Sequence, residues 1–346
     1  MGKTIVGVDI SAAGIRAAEV DGALKQKPVL VRYAEMPLPP GAVNKGEVVD
    51  TKAVATALKR LWAAGGFGTK NVVLGVGNSR VLARELSVPR MPLGSIRESL
   101  PFHVQEMLPF PTKDALLDFY PISESSEGNG PVINGLLVAV LKSVVAGNIA
   151  AAKQAGLNTV NVDLVPFALS RVLQRGRSTG TVALIDVGAN TSTVVVSSSG
   201  VPQFVRIIPI GGDDLTNALA SRLNMSADTA ERSKRALGLS NSATPNDPAG
   251  VMLEVTRQLL TALRDTLNYY SSSRQGDVLN RIVLTGGGGS MRGFREALSD
   301  YTHLSVSIGD PLESISIGSK ADKAIRAIGP DATPSVAVGL ALGNAA

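Results

Sequence analysis

Cysteine is absent from the 346 residues, and histidine occurs only at His103 and His303. Without thiols there is no disulfide, no cysteine nucleophile and no Cys/His zinc site, a composition compatible with a reducing compartment. The two histidines read as structural or exposed. Aromatic residues make up 4% of the chain. Basic residues are dispersed among acidic ones with little aromatic interleaving, which argues against nucleic-acid binding. Charge of one sign is also scarce. A formal net charge of +5 permits association with an acidic membrane surface or partner without requiring it. No apolar run is long enough to cross a bilayer: GLLVAVL at 135–141 stops at Lys142, against the roughly 20 residues a spanning helix needs. The N-terminal MGKTIVGVDIS runs as a strand into Asp9, unlike a signal peptide, and Val6 stands where myristoylation wants Ser or Thr. The expectation is a soluble chain with no transmembrane segment of its own.

What is present is a repeated plan. VGVDISAAGIRAAEV at 6–20 and IDVGANTSTVVV at 185–196 each carry an apolar run, an Asp, a turn of small residues and a second apolar run. A chain of this length exceeds what one core usually fills, so the two hairpins suggest duplicated lobes facing each other. In that arrangement Asp9 and Asp186 share a cleft beside a divalent cation held mostly through water, as suits Mg2+ on a nucleotide. Ser11 and Gly14 in the first turn, and Gly188, Asn190, Thr191 and Ser192 in the second, would offer hydroxyls and backbone N–H groups to phosphates. Either hairpin alone is equally a plain Asp/Gly turn. The pair gains meaning from a third motif, LTGGGGSMRGF at 284–294, in which four glycines after a strand let backbone approach a ligand closely. It matches neither the dinucleotide fingerprint nor the P-loop. GGDD at 211–214 allows Asp213 to cap a helix beginning near Leu215, or places its glycines beside phosphate or ribose. Asp163 stands where strand passes to helix, as a cap or as a group orienting water. Lys234 and Arg235 are either ribose or phosphate ligands or surface charge.

The coarse reading is a hairpin and third strand to about residue 35, then a helix capped by Asp50 with Ala53, Val54, Ala57, Leu58, Leu61 and Trp62 on one face, then a strand at 71–77. Residues 80–158 differ in texture. A helix is expected from Ser95 to about Leu108, strands at 114–122 and 132–140, and a solvent loop SESSEGNG at 123–130, before a helix at 143–155. After strand and helix at 158–173 comes a linker, RGRSTG at 175–180. The second lobe then repeats three strands and Gly-Gly-Asp, followed by a long helix striped by Val255, Leu259, Leu263, Leu267 and Tyr270. A polar loop is expected at 240–250 and a last helix at 333–343.

Asp9 with its turn, IDVGAN, the Gly-Gly-Asp and LTGGGGSM resemble, in order and spacing, the actin / sugar kinase / Hsp70 ATPase superfamily. Within it, GVDIS…IRAAEV, the 80–158 insertion, VDLVPFAL and IDVGAN-T-T resemble the FtsA-like PilM family of type IV pilus assembly, over nearly the whole chain. The resemblance implies a two-lobed α/β actin-like ATPase fold, of ribonuclease H-like duplicated domains, with an inserted α+β subdomain. The first lobe would comprise 1–79 with 159–178 and 333–346, and the insertion 80–158. The second lobe would comprise 179–213 and 278–332, with a helical subdomain at 214–277. It implies ATP and Mg2+ as cofactors, with Asp9 and Asp186 at the metal. By the same resemblance residues 6–16 would form the first phosphate loop, including Ser11, Ala12, Gly14 and Arg16. Residues 185–193 form the second, including Gly188, Ala189, Asn190, Thr191 and Ser192. Gly211, Gly212, Asp213 and Lys234 join them, and 284–291 is the adenosine loop, with Gly286, Gly287, Gly288, Gly289 and Met291. The implied partner is the N-terminal cytoplasmic peptide of a PilN-like membrane protein, received in a groove between the insertion and the first lobe. Further partners are the pilus assembly platform and its motor, with self-association, at the cytoplasmic side of the inner membrane. Ser11 departs from the glycine usual at that position. Any hydrolysis needs a water positioned by Asp9, Asp186 or Asp163, and no base of an efficient hydrolase stands out, so at most a weak ATPase is expected. The rivals are a sugar-kinase-like phosphotransferase, an FtsA-type cell-division protein and a degenerate scaffold without nucleotide.

Overall fold

A computed structural model describes residues 4–127, 130–176, 179–239, 247–274, 277–329 and 332–343. Part of the expected 240–250 loop, part of the 175–180 linker and the last three residues of the tail lie outside them. In the first lobe, β1 (Ile5–Ser11), β2 (Gly14–Asp21) and β3 (Val29–Met36) form an antiparallel meander. A short hairpin follows, β4 (Val43–Asn44) and β5 (Glu47–Val48), then α1 (Thr51–Gly65) and β6 (Asn71–Val76), which runs parallel to β1. The α1 start is as the sequence predicts: Asp50 Oδ1 accepts the N–H groups of Lys52 and Ala53 at 3.0 and 2.9 Å.

From β6 the chain leaves the lobe. β7 (Leu82–Pro89), α2 (Leu93–His103), β8 (Ala115–Glu127) and β9 (Gly130–Leu141) build a separate three-stranded sheet in the order β7-β9-β8, covered by α2. Two expectations change here. The polar stretch at 123–127 is strand, paired residue by residue with 130–134, because β9 supplies a partner for its backbone. Helix α2 ends at His103 rather than Leu108, two residues after the internal Pro101, whose missing N–H weakens the last turn. The chain then returns through α3 (Lys142–Gln154), which packs beside α1 with Ala151 and Ala152 fully buried in the first-lobe core. β10 (Asn158–Leu164) completes the sheet parallel to β6, and α4 (Val165–Leu173) leads out, with Pro166 in its first turn.

The second lobe repeats the first. β11 (Thr181–Val187), β12 (Ser192–Ser198) and β13 (Val201–Ile208) form the meander. Then come α5 (Gly212–Arg222), α6 (Ala227–Leu237) and α7 (Pro248–Ser273), β14 (Leu279–Thr285), α8 (Phe294–Thr302) and β15 (Ser305–Ile308). The strand order β13-β12-β11-β14-β15 reproduces β3-β2-β1-β6-β10 of the first lobe. Duplication, read from two turns, is thus written in the whole topology. The stripe expected on α7 is buried, with Leu259, Leu263, Leu267 and Tyr270 against the sheet.

The chain rejoins the first lobe earlier than position 333. β16 (Ser316–Ile317) pairs with β3, the Ser316 N–H donating to the Pro28 carbonyl at 2.9 Å, and α9 (Ser319–Ile328) packs on β3. α10 (Ser335–Gly343) then lies across β1 and α4. A Cβ at Gly339 would come within 2.1 Å of the Ala168 carbonyl oxygen, so α10 and α4 touch backbone to backbone. These two helices join the lobes: Ala168, Leu169, Val172 and Leu340 share one buried cluster with Val20 of the first lobe and Val182, Leu184 and Val195 of the second.

Candidate functional site

A cavity of about 460 Å3 opens between the lobes. It is lined from one side by Asp9, Ser11, Ala12 and Arg16, and from the other by Asp186, Gly188, Ala189, Asn190 and Thr191. The equivalent strands β1 and β11 each end there, so duplication of the fold is what brings their aspartates face to face. The first turn is tight, Ser11 pairing with Gly14 across two residues. The second is wider, closing between Val187 and Ser192 with the Gly188 N–H donating to the Thr191 carbonyl at 2.9 Å.

Arg16 stands opposite Asp9 in the β1–β2 pair. Its Nη1 lies 3.5 Å from Asp9 Oδ2 and donates to Ser11 Oγ at 3.1 Å, and its Nε lies 3.8 Å from Glu35 Oε1. The buried Nε has no hydrogen-bond acceptor. Burial raises the Asp9 carboxyl above the ordinary range, an effect that Arg16 partly offsets. Asp186 is pushed up to about 7, by burial first and by repulsion from Asp9 second. Two desolvated carboxylates and an unspent guanidinium donor form a site prepared for a cation and an anion together.

The remaining wall belongs to the second lobe. The N–H groups of Gly212 and Asp213 donate to the carbonyls of Gly188 and Ala189 at 2.9 and 2.8 Å, which seats the start of α5 on the second turn. The helix begins three residues before Leu215, so the capping contact is made by Asp214, whose Oδ2 accepts the Gly211 N–H at 2.8 Å. Asp213 is left to accept from Asn190 Nδ2 at 2.7 Å, and burial raises its carboxyl. Lys234 lines the same wall, its Nζ donating to the Gly212 carbonyl, Thr216 Oγ1 and Glu231 Oε2 at 3.0, 2.9 and 2.6 Å. Burial opposes ionisation of Glu231, yet hydrogen bonds from Lys234, Thr216 and Arg235 outweigh it and hold the carboxyl at about 2. Below lie Gly286, Gly287, Gly288 and Met291. Gly286, at φ 88°, sits where a Cβ would meet the Val187 carbonyl oxygen at 2.4 Å. The glycine run therefore lies directly on the strand that carries Asp186.

Four residues expected at the site are not among those lining the cavity. Gly14 starts β2 and its carbonyl is taken by Ser11 Oγ at 3.1 Å. Ser192 is fully buried and donates to the Ile210 carbonyl at 2.8 Å. Gly289 turns inward, its N–H donating to the Gly286 carbonyl at 3.1 Å. Asp163 lines a different cavity, where Arg171 donates to its Oδ2 and its Oδ1 accepts the Leu164 N–H at 2.7 Å. Conversely, Glu231 lines the cavity outside every loop motif, and its only local mark is the i, i+3 spacing to Lys234 on one helix. The β4–β5 hairpin carried no such signal: two-residue strands have no periodicity. Gly46 lines the cavity, and the Lys45 N–H donates to Asn190 Oδ1 at 3.2 Å, joining the first lobe to the second turn.

The donor set can be tested for fit to a magnesium nucleotide. Among the described residues no three His, Asp or Glu side chains are placed to hold a metal ion together. A hard divalent ion here would thus be held by two carboxylates, with water and phosphate oxygens completing the shell, the ordinary arrangement for Mg2+. The residues fit.

A second cavity, of about 570 Å3, lies between the small sheet and the first lobe. Its apolar lining includes Leu116, Tyr120, Val138, Val140, Val162 and Phe167. Two ion pairs flank it: Arg97 Nε with Asp118 Oδ1 at 2.6 Å, and Arg171 with Asp163. Among the described residues no helix is long and apolar enough to cross a membrane.

Comparison with known proteins agrees with this fold. The family model described as type IV pilus assembly protein PilM matches residues 7–345. A solved structure, the PilM–PilN type IV pilus biogenesis complex, superposes with a TM-score of 0.84 at 28% identity, covering 98% of this chain and 97% of that one. The MreB5 protein of Spiroplasma citri, solved with AMPPNP, shares the fold with a TM-score of 0.56 at 14% identity, covering 89% of this chain and 92% of that one. The cell division protein FtsA of Bacillus subtilis is 22% identical over 317 residues, 79% of this chain and 72% of that protein. The fold is the two-lobed actin-like one, and the chain belongs to the PilM family of type IV pilus assembly proteins.

Proposed function

We propose that this chain binds ATP with Mg2+ between its lobes and serves as a scaffold of type IV pilus assembly that docks the N-terminal cytoplasmic peptide of a PilN-like membrane protein. The observation that carries the nucleotide half is the meeting of Asp9 and Asp186, one from each lobe, in one cavity that both turns line. Bound Mg2+ supplies neutralisation of phosphate charge. The chain's own groups do the rest. Asp9 and Asp186 hold the hydrated ion, and Arg16, with Nε unspent, takes a phosphate oxygen. Glu231 and Lys234, fixed to each other, face the ribose, and the glycine run with Met291 admits the adenosine. Contacts from both turns favour the closed lobes, so ATP shifts the lobe angle.

The docking half is supported by the 28% identical PilM–PilN complex, which covers nearly the whole chain, and by the apolar groove with its charged rims. Through such a peptide the scaffold is held at the cytoplasmic face of the inner membrane, next to the assembly platform and motor. The test is Leu116→Glu. Leu116 is 45% exposed on β8, so the substitution leaves the fold intact while placing a charge in the groove. Titration with the N-terminal peptide of the cognate membrane protein should show at least a tenfold loss of affinity, about 1.4 kcal/mol, with Mg-ATP binding unchanged. Equal peptide binding by the variant would place the partner elsewhere.

A further inference from the structure

The groove has a wall that the first lobe does not supply. Besides β8, β9 and α4, the cavity is lined by Gly200 and Pro202, from the turn between β12 and β13 of the second lobe. A peptide seated there touches both lobes. That turn is held in shape by Ser199 and Gly200 at φ 49° and 82° and by the Ser199 N–H donating to the Gly180 carbonyl at 3.1 Å. A single strand connects it to the nucleotide cleft. β12 starts at Ser192, where the second phosphate turn closes, and ends at Ser198, beside the groove turn. Six steps at about 3.3 Å make a lever of roughly 20 Å. It is paired on both sides, with β11 and with β13.

β13 of that same lobe lies against β7, β8 and β9 of the small sheet, and one side chain fastens the contact. Arg274, at the end of α7, donates from Nε and Nη2 to Glu85 Oε1 on β7 at 3.2 and 2.8 Å. Its Nη1 donates to Gln203 Oε1 at 2.8 Å and its Nη2 to the Gln203 carbonyl at 3.2 Å. The guanidinium lies 5.5 Å from the centre of the Tyr270 ring, whose hydroxyl donates to Asp277. An exposed pair of free side chains contributes little. Here the second lobe orders the arginine in advance through buried Gln203, so that Glu85 meets a fixed fork and the ordering cost is already met.

We propose that ATP in the cleft and peptide in the groove are coupled through the second lobe, with β12 as the lever and the Arg274–Glu85 pair as the latch that makes the small sheet follow it. This rests on the nucleotide reading above and adds its regulation. Hydrogen exchange read by mass spectrometry, with and without millimolar Mg-ATP, tests it on the full chain and on Glu85→Gln. Glu85 is 57% exposed at its side chain, so the variant folds. In the wild type, Mg-ATP should slow exchange at the phosphate turn, 185–193, and also at 82–89 and 199–203, by about fivefold or more, the lower end of ordinary coupling. In Glu85→Gln the slowing at 185–193 and 199–203 should remain and that at 82–89 should vanish. Unchanged exchange at 82–89 in the wild type, or equal slowing there in the variant, overturns the latch. If 185–193 itself does not respond in the wild type, the nucleotide reading has failed, and the latch with it.

Discussion

Asp186→Asn is expected to make the nucleotide-free protein more stable at pH 8, by roughly 3 to 6 °C in melting temperature, while removing its Mg-dependent affinity for ATP. The sign follows from linkage. In the unfolded chain the Asp186 carboxyl ionises near 3.8, whereas in the folded protein burial and repulsion from Asp9 hold it to about 7. Folding is therefore unpenalised by this group below pH 3.8. The penalty grows as pH rises from there and is complete above 7. A shift of some three pH units corresponds to about 2–4 kcal/mol once solvent in the open cleft is allowed for. Lowering pH from 8 to 5 should raise the wild-type melting temperature more than that of Asp186→Asn, in which only Asp9 of the pair remains to gain from protonation. A variant no more stable than the wild type at pH 8, with the same pH slope, would show that the carboxylate is not strained in the empty cleft.

Gly339→Ala is the second large effect, and it acts on the joint between the lobes. The added Cβ would sit 2.1 Å from the Ala168 carbonyl oxygen, and its neighbours are backbone atoms of α4 that cannot step aside. α10 must move away from α4, opening the cluster in which Ala168, Leu169 and Leu340 are fully buried. Overpacking of this kind costs about 1–3 kcal/mol and more when backbone must shift. Because α4 also meets the second-lobe strands, the displacement reaches the cleft. We expect a fall of about 4 °C in melting temperature and a weaker response to ATP. Gly287→Ala serves as the control: nothing lies within 4 Å of its Cβ position, so stability should hardly change. Equal melting temperatures for both variants would mean that the helix contact is looser than described.

Local chemistry explains which features were legible in the sequence. The Asp-containing hairpins, the α1 cap at Asp50 and the α7 stripe are set by residues within a turn or two of each other. The shared strand order of the lobes follows once two such hairpins are seen. Features set by distant partners were not legible. Ser123 to Glu127 have loop composition and become strand because β9 runs beside them. Residues 316–328 look like a continuation of the second lobe and instead extend the first, through bonds to Pro28 and Leu30. Asp163 sits at a strand end, as a cleft residue would, but its partner Arg171 lies on the groove side. The Lys45–Asn190 contact spans 145 positions and the Arg274–Glu85 contact spans 189, so neither leaves a local trace.

The claim on which the rest depends is that one nucleotide and its metal lie between Asp9 and Asp186. Calorimetric titration of the purified chain with ATP, in magnesium and then in excess chelator, reads it most directly. The account predicts one binding event per chain that is at least tenfold tighter with magnesium, a gain of about 1.4 kcal/mol or more. No heat of binding, or an affinity indifferent to the metal, would contradict it.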